Sequence, residues 1–102
     1  MAGPEATIER KSRQVARAKG CQLYKVVFHG RVGCPDRLLL VGADLSASGS
    51  GSAVFMEFKR PGETPGPHQE LVHRELRQAG LRVESVDSIE RFEEILSDAL
   101  ER

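Results

Sequence analysis

The sequence predicts a single mixed α/β domain of order α-β-β-β-α-β-α, a mixed central sheet flanked by helices. Three observations lead there. The chain has 102 residues, the size of one domain. Short apolar or alternating stretches are separated by glycine- and proline-rich turns. Three charged segments carry helix start and stop residues.

Pro4 favours a helix start and Gly20 a helix end, so Glu5 to Lys19 reads as the first helix. Gln22 to His29 reads as a strand with Tyr24, Val26 and Phe28 on one face and Leu23 and Val27 on the other. Gly30 to Pro35 is a turn, and Leu38 to Val41 is apolar at every position, as in a strand covered on both faces. Gly42 to Ser52, rich in serine and glycine, reads as a flexible hairpin loop without motif chemistry. Ala53 to Lys59 is the next strand. Arg60 to Pro67 is a turn, His68 to Ala79 a helix ended by Gly80, and Leu81 to Val86 the last strand. Asp87 and Glu90 have capping-box spacing before a helix carrying Ile89, Phe92, Leu96 and Leu100 at helical intervals.

Composition excludes several classes. With 39% hydrophobic and 29% charged residues the chain belongs with globular rather than disordered proteins. No apolar run approaches the roughly 20 residues of a membrane span, and no signal segment opens the chain. Cys21 and Cys34 are too few for a disulfide scaffold and form no CxxC pair, which fits a reducing, cytoplasmic setting. Cys21, His29 and Cys34 match no usual zinc spacing and lack a fourth ligand. The formal net charge is zero, yet it is unevenly spread. Ile8 to Arg37 holds eight basic residues against two acids, and Glu84 to Arg102 seven acids against two arginines. Such asymmetry suits a polyanion approaching one side, although two solvated helices of opposite charge would give the same pattern.

The most informative residues are Glu57, Phe58 and Lys59. Residues i and i+2 of a strand share a face, so Glu57 and Lys59 project together while Val54, Met56 and Phe58 point the other way. A carboxylate and an ammonium ending a strand that is apolar on both faces are costly to desolvate, so they are expected to be paired or to do chemistry. Asp36 directly precedes the all-apolar strand. In a hairpin of that strand with Ala53–Lys59, Asp36 comes near Glu57 and Lys59. Two carboxylates then offer hard oxygens to Mg²⁺ or Mn²⁺. A lysine beside them can orient or deprotonate a water, or offset charge on a phosphorane-like transition state. Gln69 shares a helix face with Val72 and Leu76, so it faces the sheet, where its amide could hold the lysine or a water. Bonding to the turn at the helix start is the structural alternative. Glu9 could reach the metal from the first helix, with Glu5 as its rival and a solvated acid as the plain reading of either. Lys25, Arg37, Arg60 and His68 are candidate phosphate contacts, with ordinary surface charge as the alternative.

The ordered set Gly33-Cys34-Pro35-Asp36-Arg37, Glu57-Phe58-Lys59 and Gln69 resembles the VRR-NUC domain of the PD-(D/E)XK nuclease superfamily. Ile8-Glu9 and the Gly20 to Lys25 spacing fit the family's opening, and Gly80-Leu81-Arg82-Val83 with Asp87-Ser88-Ile89-Glu90 its close. The resemblance runs from about Glu5 to Leu96 and implies a restriction-endonuclease-like fold. It implies that Asp36, Glu57 and the Phe58 backbone carbonyl bind the metal and that Glu9, favoured over Glu5 by spacing, completes the site. Lys59 would assist the attacking water and Gln69 support it. It further implies a free-standing phage or bacterial type that acts as a homodimer on branched DNA such as four-way (Holliday) junctions, without a small-molecule cofactor or a membrane partner. The Ser/Gly-rich stretch from Ala47 to Ser52 is longer than the family's usual hairpin. Two other readings are a nucleic-acid-binding module of the same fold that cuts nothing, and a structural subunit that needs a partner.

Overall fold

The computed structural model describes residues 3–42 and 51–101. Its elements run α1 (Pro4–Ala18), β1 (Gln22–Lys25), β2 (Arg37–Val41), β3 (Ser52–Phe58), α2 (Pro67–Gln78), β4 (Arg82–Val86) and α3 (Ile89–Leu100). The order is the expected one. The stretch read as a hairpin loop lies mostly at residues 43–50, outside the described residues.

The four strands form one sheet in sequence order. β1 with β2 and β2 with β3 are antiparallel, and β3 with β4 is parallel, with α2 as the crossover. The sheet is therefore mixed, as parallel neighbours require a long connection. Helices α1 and α3 pack on one face and α2 on the other. Between α1, α3 and the sheet lies the main core, which includes Leu23, Leu39, Val54, Met56, Val86, Phe92, Ile95 and Leu96. Cross-strand neighbours Leu23, Leu39 and Val54 share that face by register, so the period-2 pattern builds the core directly.

The α2 face is thinner. Val72 and Val83 are buried there, but Leu38, Leu40 and Phe55 are only partly covered. The expectation that Leu38–Val41 is sealed on both faces therefore needs correction: one helix covers less of a sheet than two. The first strand is also shorter than expected. Lys25 pairs with Arg37, and the Val26 N–H still bonds the Asp36 carbonyl at 2.9 Å. Beyond that bond the partner side bends at Val32 and Gly33, the latter at φ +81°, and no further pair forms. Residues 26–29 leave the sheet, and Phe28 instead meets Phe55 with ring centroids 5.7 Å apart.

Two details at α3 also differ. The cap is Ser88, whose side chain accepts the Arg91 N–H at 3.0 Å, rather than Asp87 paired with Glu90. The Asp87 carboxylate is used elsewhere, accepting the Gly62 N–H at 3.1 Å. Ile95 and Ala99 join Phe92 and Leu96 in the core, whereas Leu100 is exposed.

Candidate active site

The β3 strand delivers Glu57 and the residue beyond its end delivers Lys59, on the face opposite Met56. Lys59 remains tied to the sheet because its N–H bonds the Val86 carbonyl at 2.8 Å. Its ammonium Nζ lies 3.0 Å from Glu57 Oε2 and donates to Gln69 Oε1 at 2.6 Å. The same Gln69 oxygen accepts the Gly66 N–H at 3.1 Å at the start of α2. Both roles weighed for Gln69 thus occur together: it closes the first turn of the helix and holds the lysine.

This group is nearly dry. The side chains of Glu57 and Lys59 are 9% and 13% exposed. A buried charge needs partners, and here the two opposite charges and a polar amide supply them. Satisfaction is incomplete, however. Glu57 Oε2 is close to Lys59 by distance but lacks hydrogen-bond geometry, so a buried carboxylate oxygen carries no hydrogen bond.

The structure adds His73, which sequence reasoning left without a role. Its ring is 2% exposed, and Nε2 lies 3.5 Å from Glu57 Oε1, also without hydrogen-bond geometry. The signal for it was present: His73 follows Gln69 by four residues, which places both on one side of α2.

On the hairpin side, the last β2–β3 pair is Arg37 with Met56, and the next residues outward are Asp36 and Glu57. Asp36 Oδ2 is held 3.1 Å from the Arg37 guanidinium, which also approaches Glu9 Oε1 at 3.4 Å. Glu9 is further shared with Arg13 at 3.6 Å. Glu5, Glu9, Asp36, Arg37 and Phe58 together line a small cavity of about 170 Å³. Sequence-predicted residues therefore form two adjacent groups, Glu57–Lys59–Gln69 and Glu9–Asp36–Arg37. Among the described residues no three acids, histidines or cysteines are gathered as a metal cage.

The turn carrying Asp36 is fastened to α2. The His68 ring nitrogen bonds the Val32 carbonyl at 3.1 Å, and Arg31 pairs with Glu75 at 2.6 Å. Gly33 has φ +81°, and a Cβ there would come 2.5 Å from His68 Cδ2. Only glycine fits both the backbone conformation and the space.

Of the sequence-predicted DNA contacts, Arg37 is committed to Glu9 and Asp36, Arg60 to Glu5 at 3.2 Å, and His68 to Val32. Lys25 is exposed and forms no ion pair among the described residues. Both cysteines are free. No described helix is long and apolar enough to cross a membrane.

No family model matches the chain. It is 38% identical over 84 residues to "Putative nuclease p44" of Acyrthosiphon pisum secondary endosymbiont phage 1, an alignment covering 82% of this chain and 83% of that protein. A solved structure described as a "VRR_NUC domain" superimposes with a TM-score of 0.78 at 26% identity, covering 94% of this chain and 97% of the other.

Proposed function

Because the chain belongs to the VRR-NUC nuclease family, we infer that it is a metal-dependent, structure-selective DNA endonuclease. It works as a homodimer on branched DNA such as four-way junctions. The observation that carries the reading is the buried line Glu57–Lys59–Gln69, an ammonium fixed between a carboxylate and an amide at a strand end.

The residues suit a divalent metal in donor chemistry. Glu57 Oε2 is a buried oxygen without a hydrogen bond, and Asp36 and Glu57 are the next residues beyond the Arg37–Met56 pair on their two strands. Asp36, Glu57 and the Phe58 carbonyl would hold Mg²⁺ or Mn²⁺, with Glu9 completing the set once released from its arginines. Bound there, the metal would supply positive charge and a more acidic water. Lys59 has three N–H donors; one is given to Gln69, while Glu57 Oε2 lies 3.0 Å away as an ion pair without hydrogen-bond geometry. The donors not used by Gln69 are left for the attacking water or a phosphate oxygen. Fixing the ammonium in advance removes reorganisation from the reaction, which is the main source of electrostatic catalysis. Water attacks phosphorus in line, the bond to the leaving sugar oxygen breaks, and the lysine offsets the charge that builds on the phosphoryl oxygens.

The test is cleavage of a labelled four-way junction with Mg²⁺ or Mn²⁺. Glu57→Ala and Lys59→Ala should each lose about 100-fold or more in rate. Equal activity in folded variants would remove the assigned roles. One observation favours a domain that binds without cutting: Glu9 is committed to Arg37 and Arg13. Junction binding with no cleavage in either metal would select that second reading.

A further inference from the structure

The cations nearest the candidate site are largely consumed by the protein itself. Arg37, Arg60 and Arg31 each face an acid, and His68 bonds a carbonyl. The outer side of α1 is different. Arg10, Arg13, Gln14, Arg17 and Ala18 line a groove of about 510 Å³, and all five are exposed. Arg10 and Arg17 form no ion pair with any described acid, and Arg13 only shares Glu9 with Arg37.

The spacing is regular. Positions 10, 13, 14 and 17 are i, i+3, i+4 and i+7, so they form one continuous stripe. Seven residues of helix advance about 10 Å. One DNA strand carries a phosphate about every 3.4 Å of helix axis, so the stripe spans about three phosphates. The stripe also starts at the site. Glu9, one residue before Arg10, lines the cavity shared by Asp36, Arg37 and Phe58. The buried side of α1, Ile8, Ser12 and Ala16, faces the core, which leaves the arginines directed outward.

We propose that the Arg10–Arg13–Arg17 stripe of α1 is a phosphate track that holds the DNA arm flanking the scissile bond. This rests on the nuclease reading above and adds to it the surface that binds substrate away from the chemistry. Arginine suits the task because its fork of N–H donors matches phosphate oxygens in pairs. Gln14 lies between the arginines and supplies a neutral donor for the same backbone.

The experiment is binding of a labelled four-way junction, without added metal, over a series of salt concentrations. Wild type is compared with Arg10→Ala/Arg17→Ala and with Arg74→Ala. Alanine keeps an exposed helix folded, and Arg74 is an exposed cation on α2 across the sheet. The double variant should weaken binding roughly tenfold or more at low salt and lower the log–log salt slope by about 1.8, about 0.9 for each lost contact. Arg74→Ala should leave the slope unchanged. An unchanged slope in the double variant, with wild type binding normally, overturns the track and leaves the nuclease reading intact. Wild type that neither binds nor cuts DNA ends both. If the double variant loses binding only to phosphatidylserine vesicles, the stripe serves a membrane surface and the track falls.

Discussion

Gln69 Oε1 sits 2.6 Å from Lys59 Nζ and 3.1 Å from the Gly66 N–H, so one amide oxygen joins a helix start to a catalytic lysine candidate. Gln69→Ala should therefore damage two things at once. Stability should fall by about 1 kcal/mol, the usual cost of a lost cap or hydrogen bond. Junction cleavage should fall about 10- to 100-fold as the ammonium loses its anchor. Chemical denaturation and single-turnover cleavage read the two effects separately. Unchanged cleavage would show that Lys59 needs no such support.

His73 lies beside Glu57 in a dry pocket, so its substitution separates packing from chemistry. His73→Ala opens a cavity and should cost about 1–3 kcal/mol. His73→Gln keeps a polar tip near Glu57 and should retain more metal-dependent activity than His73→Leu at similar stability. Isothermal metal titration of both variants checks whether the carboxylate has moved. Equal metal binding and equal cleavage would reduce His73 to a core residue.

Gly33 and Gly30 share φ +81°, yet only Gly33 faces an obstacle. Gly30→Ala should carry backbone strain alone, about 1 kcal/mol. Gly33→Ala should cost more, because the new methyl meets the His68 ring, and should slow cleavage by displacing Asp36. Adding His68→Ala to Gly33→Ala should recover part of the loss. Matching stabilities for the two alanine variants would remove the clash from the account.

Leu39 is fully buried on the α1–α3 face, while its neighbour Leu40 is half-covered on the α2 face. Leu39→Ala should cost about 2–5 kcal/mol. Leu40→Ala should cost clearly less. Urea unfolding of both reports directly on how unequally the two faces are filled.

Much of this was legible because it depends on short-range periodicity. The i, i+2 relation of Glu57 and Lys59 needs only a strand, and Gln69 is placed by the apolar spacing of Val72 and Leu76. What escaped depends on partners distant in the chain. Val26 to His29 keep a strand-like composition, but β1 ends at Lys25 opposite Arg37, because the chain before β2 bends away at Val32 and Gly33. Asp87 and Ser88 are both good caps, and Ser88 takes the role while Asp87 bonds the Gly62 turn. The pairing of Arg37 with Glu9 spans 28 residues, and nothing local announces it.

The β2–β3 hairpin has two ends with different duties. Asp36 and Glu57 leave from beyond the Arg37–Met56 pair, whereas the segment 43–50 departs beyond Val41–Ser52, four residues away along the strand. Four residues of strand are about 13 Å. A fluorophore, affinity tag or whole inserted domain grafted into that segment would enter the chain beyond the Val41–Ser52 pair, at the end of the strands away from Asp36 and Glu57. Reporter-labelled protein made this way should turn over its substrate as fast as the untouched chain.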